Sequence, residues 1–197
     1  QLAANDLSVA TNLMESRFMQ GEHQLYNDMY DRTNDRHMWS GPDFFKAKFQ
    51  EQANRHEKCG GTAYNLEPNI KEGQGGLRDI QMITWVAQRH YHVNSMHGLV
   101  DVGFLHPDEY IQLQKGMRKL WKIRYALHLL AGRKEDRLLF EHQKELAKIF
   151  NFVDDEETLG VEKFMQYHYR NAMQLEQLNM RLLQLFEEDI LQSHEDK

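Results

Sequence analysis

NLEPNIKEGQGGLRDIQ, residues Asn65–Gln81, gathers three glycines, one lysine, one arginine and one aspartate into a short connector. An apolar stripe at helical spacing follows: Leu77, Ile80, Ile83, Ala87 and Tyr91. The stretch therefore reads as a glycine-rich bend that opens a central helix at Gly76. Glycines at such a place take φ > 0 or bring backbone amides close to another group. The first turn of a helix presents unpaired N–H donors and a partial positive potential, a setting suited to an anion. Lys71 and Arg78 carry the matching charge, and the arginine offers a bidentate fork. Lys71, Gly73, Gly75, Gly76 and Arg78 are thus candidates for binding a phosphate. The competing reading is purely structural, with Arg78 and Asp79 tying the connector to a neighbouring helix. Spacing alone leaves both open, because the pattern is neither a P-loop nor a dinucleotide fingerprint.

Outward from this bend the periodicity is helical almost throughout, without convincing strand alternation. Asp6 caps a first helix containing Val9, Leu13 and Arg17, ended near Gly21. A short second helix follows Glu22, with Leu25 and Met29 facing inward. Ser40-Gly41-Pro42-Asp43 starts a third through Phe45 and Phe49, broken at Cys59-Gly60-Gly61. Pro107-Asp108-Glu109 opens another, whose stripe is Tyr110, Leu113, Met117, Leu120, Leu127 and Leu130, stopped near Gly132. A shorter helix covers His142–Phe150. The last runs from Val161 to Leu191, where Leu175, Leu178, Leu182 and Leu185 make a seam for packing inside the domain. The expected fold is all-α: an irregular bundle of about six or seven helices ending in one long C-terminal helix.

The 197 residues suffice for one compact core. A formal net charge of −6 disfavours a dedicated nucleic-acid binder. The single cysteine, Cys59, cannot form an internal disulfide, which fits a reducing, cytoplasmic setting. No apolar run is long enough to span a bilayer, so no membrane partner is expected. The start at Gln1, without methionine, fits an excised piece of a larger protein.

Eleven histidines invite a metal reading, but His90, His92, His97 and His106 lack the three- or four-residue spacing and the carboxylates of a helical site. No metal site is expected here. Asp154-Asp155-Glu156-Glu157 reads as a solvated turn. Cys59 has neither a base nor an oxyanion hole within reach of sequence argument. A locally basic run spans Arg118 to Arg137. Within it Arg124 lies among Leu120, Trp121, Leu127 and His128, a setting that turns it inward, where Glu67 or Asp79 would supply its partner. Trp85 and Trp121 read as core.

The words of the central stretch carry a resemblance. YNLEPNIKEGQGGLRDIQMITWVAQRHY, Tyr64–Tyr91, resembles the signature segment of bacterial PII uridylyltransferases, bifunctional enzymes that attach UMP to the PII nitrogen-signalling protein and remove it. DLSVATNLMESRFMQG at Asp6–Gly21 is similar to the family segment that closes the nucleotidyltransferase domain. Leu120–Ala147 and Leu178–Leu191 match two further helical segments, so the likeness covers nearly the whole chain. Gln74 stands where the family often has proline. The resemblance implies two units: residues 1–35, the helical tail of the nucleotidyltransferase domain, and residues 36–197, a helical domain carrying the KEGxGGLRDI motif.

It also implies a division of labour. The family's Asp-x-Asp metal site does not occur here, nor does a His-Asp dipeptide of the uridylyl-removing domain. Both would lie outside these residues, with Mg²⁺ held by upstream carboxylates and glutamine acting as effector elsewhere. No catalytic residue is therefore expected in this stretch, and the piece alone would be inactive. Lys71, the Gly73–Gly76 backbone and Arg78 would form the outer wall of a UTP cleft, with Glu67, Asp79 and Arg124 behind them. The alternative is a non-catalytic helical module that docks PII or neighbouring domains. An RNA-end nucleotidyltransferase body is a third reading, opposed by the acidic charge.

Overall fold

The computed structural model describes residues 2–33, 38–62, 64–93 and 95–195. Among these residues there are nine α-helices and no β-strand. They are α1 (Leu2–Asn5), α2 (Leu7–Met14), α3 (His23–Thr33), α4 (Gly41–Lys58), α5 (Leu77–Tyr91), α6 (Gly98–Asp101), α7 (Pro107–Ala131), α8 (Phe140–Ile149) and α9 (Gly160–Glu195). Two of them, α1 and α6, are single turns of four residues. The all-α fold with a long final helix is as the sequence indicates. The expected division between residues 35 and 36 lies outside the described residues.

Helix ends follow local chemistry. Asp6 caps α2, its Oδ1 accepting from the amides of Ser8 and Val9 at 2.9 and 3.0 Å. Ser40 Oγ accepts from the Asp43 amide at the start of α4. Pro107 occupies the first position of α7, and His106 and Glu109 form a reciprocal capping box ahead of it. Gly132 closes α7 in the left-handed region with φ 62°.

The core lies where α9 packs against α4, α5, α7 and α8. Phe44, Ile83, Leu120, Leu127, Phe164 and Phe186 are fully buried there. Leu175, Leu178 and Leu182 are buried and Leu185 partly so, making the expected seam an intradomain one. Each fully buried side chain of this kind contributes roughly 1.5–3 kcal/mol. The α7–α9 crossing is close because Gly116 has no Cβ; one placed there would meet the Leu175 side chain at 2.6 Å. Asn171 on α9 donates to Gly116 O across the same contact, at 3.3 Å.

Three expectations fail here, the first of them local: α2 stops at Met14, short of Arg17 and of the expected end near Gly21. α3 buries no residue, and Leu25 is 66% exposed rather than turned inward. Its rings instead stack locally, His23 on Phe18 of the preceding segment and Tyr26 near Tyr30. Trp121 is not core but 52% exposed on α7, whereas Trp85 is buried as expected.

Candidate functional site

Residues 69–76 fold into a tight bend between Pro68 and α5. Asn69 begins it: its side-chain oxygen accepts from the amides of Lys71 and Glu72 at 3.0 and 2.8 Å. Gly73 N donates to Asn69 O, and Gly76 N to Gly73 O, both at 2.9 Å. Leu77 N and Arg78 N donate back to Ile70 O and Lys71 O, and Asp79 N to Gly76 O. Gly75 takes φ 66°, and a Cβ there would stand 2.0 Å from the Ala172 carbonyl oxygen of α9. Here glycine is needed twice over, for its dihedral and for a backbone-to-backbone approach.

This geometry corrects the amide half of the phosphate expectation. The N–H groups of Gly73, Gly75 and Gly76, and those of the first turn of α5, already donate within the chain. The glycines serve the bend and its contact with α9.

Beneath the bend sits Asp79, 1% exposed. Its carboxylate accepts from Arg55 Nη2 and, at 2.9 Å, from the Gly75 amide. His56 Nε2 lies 2.9 and 3.1 Å from its two oxygens. Arg55 is held in turn by Glu72 O at 3.2 Å. A buried carboxylate so surrounded is compensated by two neighbouring side chains and a backbone donor. Asp79 therefore fastens α4 to the bend, in line with the structural reading of this stretch; its ion pairs are with Arg55 and His56, and it does not orient Lys71 or Arg78.

Glu72 takes that role, a residue the sequence reading passed over. Its Oε1 lies 2.9 Å from Lys71 Nζ and 3.5 Å from Arg78 Nη2, and its Oε2 lies 3.7 Å from Arg55 Nε. Burial works to raise the Glu72 pKa, but the Lys71 hydrogen bond and the charges of Lys71, Arg78 and Arg55 outweigh it and hold it below the ordinary value. Lys71, Glu72 and Arg78 are all half-buried and share one face. The Arg78 guanidinium also stands 5.4 Å from the centre of the Trp85 ring, with Lys48 Nζ at 4.4 Å from that ring. Trp85 Nε1 donates to Glu15, just past the end of α2, at 2.8 Å. Burial lowers the Lys48 pKa, an effect that Glu51, 2.9 Å away, partly offsets.

Glu67 and Arg124 are elsewhere. Glu67 Oε1 accepts from the Phe140 amide at 2.9 Å, and its other oxygen lies 3.9 Å from Arg137. Arg124 does turn inward, yet its partner is Asp136, at 2.7 Å, and neither Glu67 nor Asp79. His128 shares that carboxylate at 3.1 Å. Burial tends to raise the Asp136 pKa, but its bonds to Arg124 and His128 bring it below the ordinary value. The Asp136 carbonyl accepts from Ile70 N at 2.9 Å, so this pair braces the bend from the α7–α8 link. His168 of α9 lies behind the same bend, 2% exposed, with Nδ1 unpartnered, and burial lowers its pKa to about 4. Among the described residues no three His, Cys, Asp or Glu side chains converge to hold a metal. No helix among them is long and apolar enough to cross a membrane.

An all-helical body built around a glycine bend of this composition defines a class, and comparison with known families identifies it. The chain belongs to the GlnD PII-uridylyltransferase family, whose model matches residues 43–183. Over 186 residues it is 48% identical to the bifunctional uridylyltransferase/uridylyl-removing enzyme of Pseudomonas syringae pv. tomato, covering 94% of this chain and 21% of that protein. The enzymes of the same description from Pseudomonas fluorescens and Pseudomonas aeruginosa are 49% and 48% identical over 189 residues. The chain thus spans about one fifth of the length of the curated relatives it matches, 21% in each case. No solved structure matches it.

Proposed function

We propose that this chain is the helical body beside the nucleotide cleft of a bifunctional enzyme that transfers UMP from UTP to a tyrosine of PII and removes it again. In transfer, the tyrosine hydroxyl attacks the α-phosphorus and pyrophosphate leaves, a reaction driven by positioning and charge neutralisation. The carrying observation is the Lys71–Glu72–Arg78 cluster and its place. Arg78 stands against Trp85, and Trp85 is bonded to Glu15, in the segment similar to the end of a nucleotidyltransferase domain. The cation pair therefore borders the side on which a catalytic domain would sit.

In this reading Lys71 and Arg78 contact the outer phosphates through their side chains alone, with Glu72 holding the two cations together. Gly73, Gly75 and Gly76 shape the support without touching the ligand. Mg²⁺ is held by carboxylates outside these residues, where it neutralises triphosphate charge. No described residue is assigned to it, and the chain by itself has no transferase activity. Glutamine acts elsewhere.

The test substitutes Lys71→Ala and Arg78→Ala in the intact enzyme and measures UTP and PII binding separately. The expected result is UTP affinity weakened about tenfold or more, the size of a lost charge-assisted contact, with PII binding unchanged. Loss of PII binding with UTP binding intact would overturn the cleft assignment and give the cluster to partner docking.

A further inference from the structure

The sequence from Tyr110 to Lys134 contains seven lysines and arginines and no carboxylate, in a chain of net charge −6. The structure uses these cations differently, and Lys119 is set with its Nζ 4.9 Å from the centre of the Tyr167 ring. Arg124 and Arg133 are paired, with Asp136 and Glu135. Lys115, Arg118 and Lys122 have no carboxylate partner among the described residues, and all three are exposed on α7. They fall on one line: Ile111, Lys115, Arg118, Lys122, Tyr125 and Leu129 follow one another in steps of four, three, four, three and four. That is the spacing of a helix seam that meets another helix.

This line faces away from the core, and its apolar members are exposed too. Tyr125 is 69% and Leu129 65% exposed, with Trp121 beside them at 52%. Aromatic rings interleaved with arginine and lysine on an unpaired helix face are the composition of interface anchors. From Ile111 to Leu129 the line runs about 27 Å, the length of a five-turn partner helix. A shallow groove of about 310 Å³ along α9 borders it, with Lys119 and the buried Asn171 in its walls.

We infer that the outward face of α7 docks an acidic amphipathic helix of a protein partner, its carboxylates meeting Lys115, Arg118 and Lys122 and its apolar positions meeting Trp121, Tyr125 and Leu129. A second copy of this chain is the wrong occupant, since a symmetric pairing of this face sets cation against cation. A nucleic acid fits less well. Ile111 and Leu129 offer no platform for a base, whereas they can meet the apolar positions of a helix. The inference stands apart from the cleft assignment, because it needs neither nucleotide nor metal.

The test is fluorescence anisotropy of the intact protein with a labelled three-heptad peptide of glutamate and leucine. A lysine-for-glutamate peptide and a twenty-residue oligothymidylate serve as comparisons. The acidic peptide binds, and added salt weakens it. Arg118→Glu with Lys122→Glu weakens it about tenfold or more, as reversal of interfacial charges does. Tyr125→Ala, which leaves the charges in place, weakens it about fivefold. The same charge change on α4, Lys46→Glu with Lys58→Glu, alters it less than about twofold. Circular dichroism confirms that each variant retains its helices. Absence of peptide binding, equal binding of oligothymidylate, or an equal loss in the α4 variant would overturn the inference.

Discussion

The bend at residues 69–76 and the outer face of α7 are both rich in cations, but those cations are used in opposite ways. In and around the bend, Arg55, Lys71 and Arg78 each have a carboxylate within reach, and the backbone amides are spent within the chain. On α7, Lys115, Arg118 and Lys122 face solvent beside exposed aromatic rings. A motif can be the most distinctive in a sequence because its residues satisfy one another. A plain run of lysines can be the surface left open to a partner.

Breaking the bend tests the first half of that contrast. Asp79→Ala strands Arg55, His56 and the Gly75 amide around a missing buried carboxylate, and should cost about 3–5 kcal/mol in denaturant unfolding. Gly75→Ala sets a methyl group against the Ala172 carbonyl and a side chain at positive φ; about 3 kcal/mol is expected from overpacking and dihedral strain together. A variant of near-native stability would show that α9 yields there, and that the glycine is not needed for packing.

His168 behind the bend gives a pH signature. Its folded pKa is lowered to about 4 from 6.5. As pH falls through 6.5 the unfolded chain takes up this proton first, so stability drops between about pH 6.5 and 4 and levels off below. The contribution is about 3 kcal/mol. His168→Leu should flatten that part of the profile, and an imidazole NMR titration centred near 6.5 in the native protein would contradict the buried setting. The smallest effect belongs to α7. Arg118→Ala and Lys122→Ala should each change stability by less than about 0.5 kcal/mol, because no carboxylate partner is lost. A larger change would mean that these cations are structural after all.

Helix starts and stops were legible where a residue acts on its own neighbours. Asp6, Ser40, Pro107 and Gly132 announce their ends through capping and dihedral preference, and the helices obey. The buried stripe of α5 followed from period alone. What the sequence hid was partner choice. Arg124 reads as inward, but whether it meets Glu67, Asp79 or Asp136 depends on how the α7–α8 link doubles back over the bend. Glu72 looks like an ordinary surface acid until folding sets Lys71, Arg78 and Arg55 around it. Trp121 sits among apolar neighbours in sequence, yet its angle around the α7 axis points it outward, between the fully buried Leu120 and Ile123. The tandem helical period of a long, two-faced helix does not say which apolar residues lie on which face when α9 covers only one side.

The bend also depends on chain segments that are made much later. Pro68 O and the Ile70 amide bond residues near Leu138, Asn65 O accepts from Tyr169, and Gly75 rests on the Ala172 carbonyl. Loop closure over such separations precedes the contacts that reward it. During synthesis these contacts wait for the later segments, and pulse-labelled hydrogen exchange should show the Ile70 amide, which donates to Asp136 O, gaining protection after those of Gly73 and Gly76, whose acceptors lie within the bend.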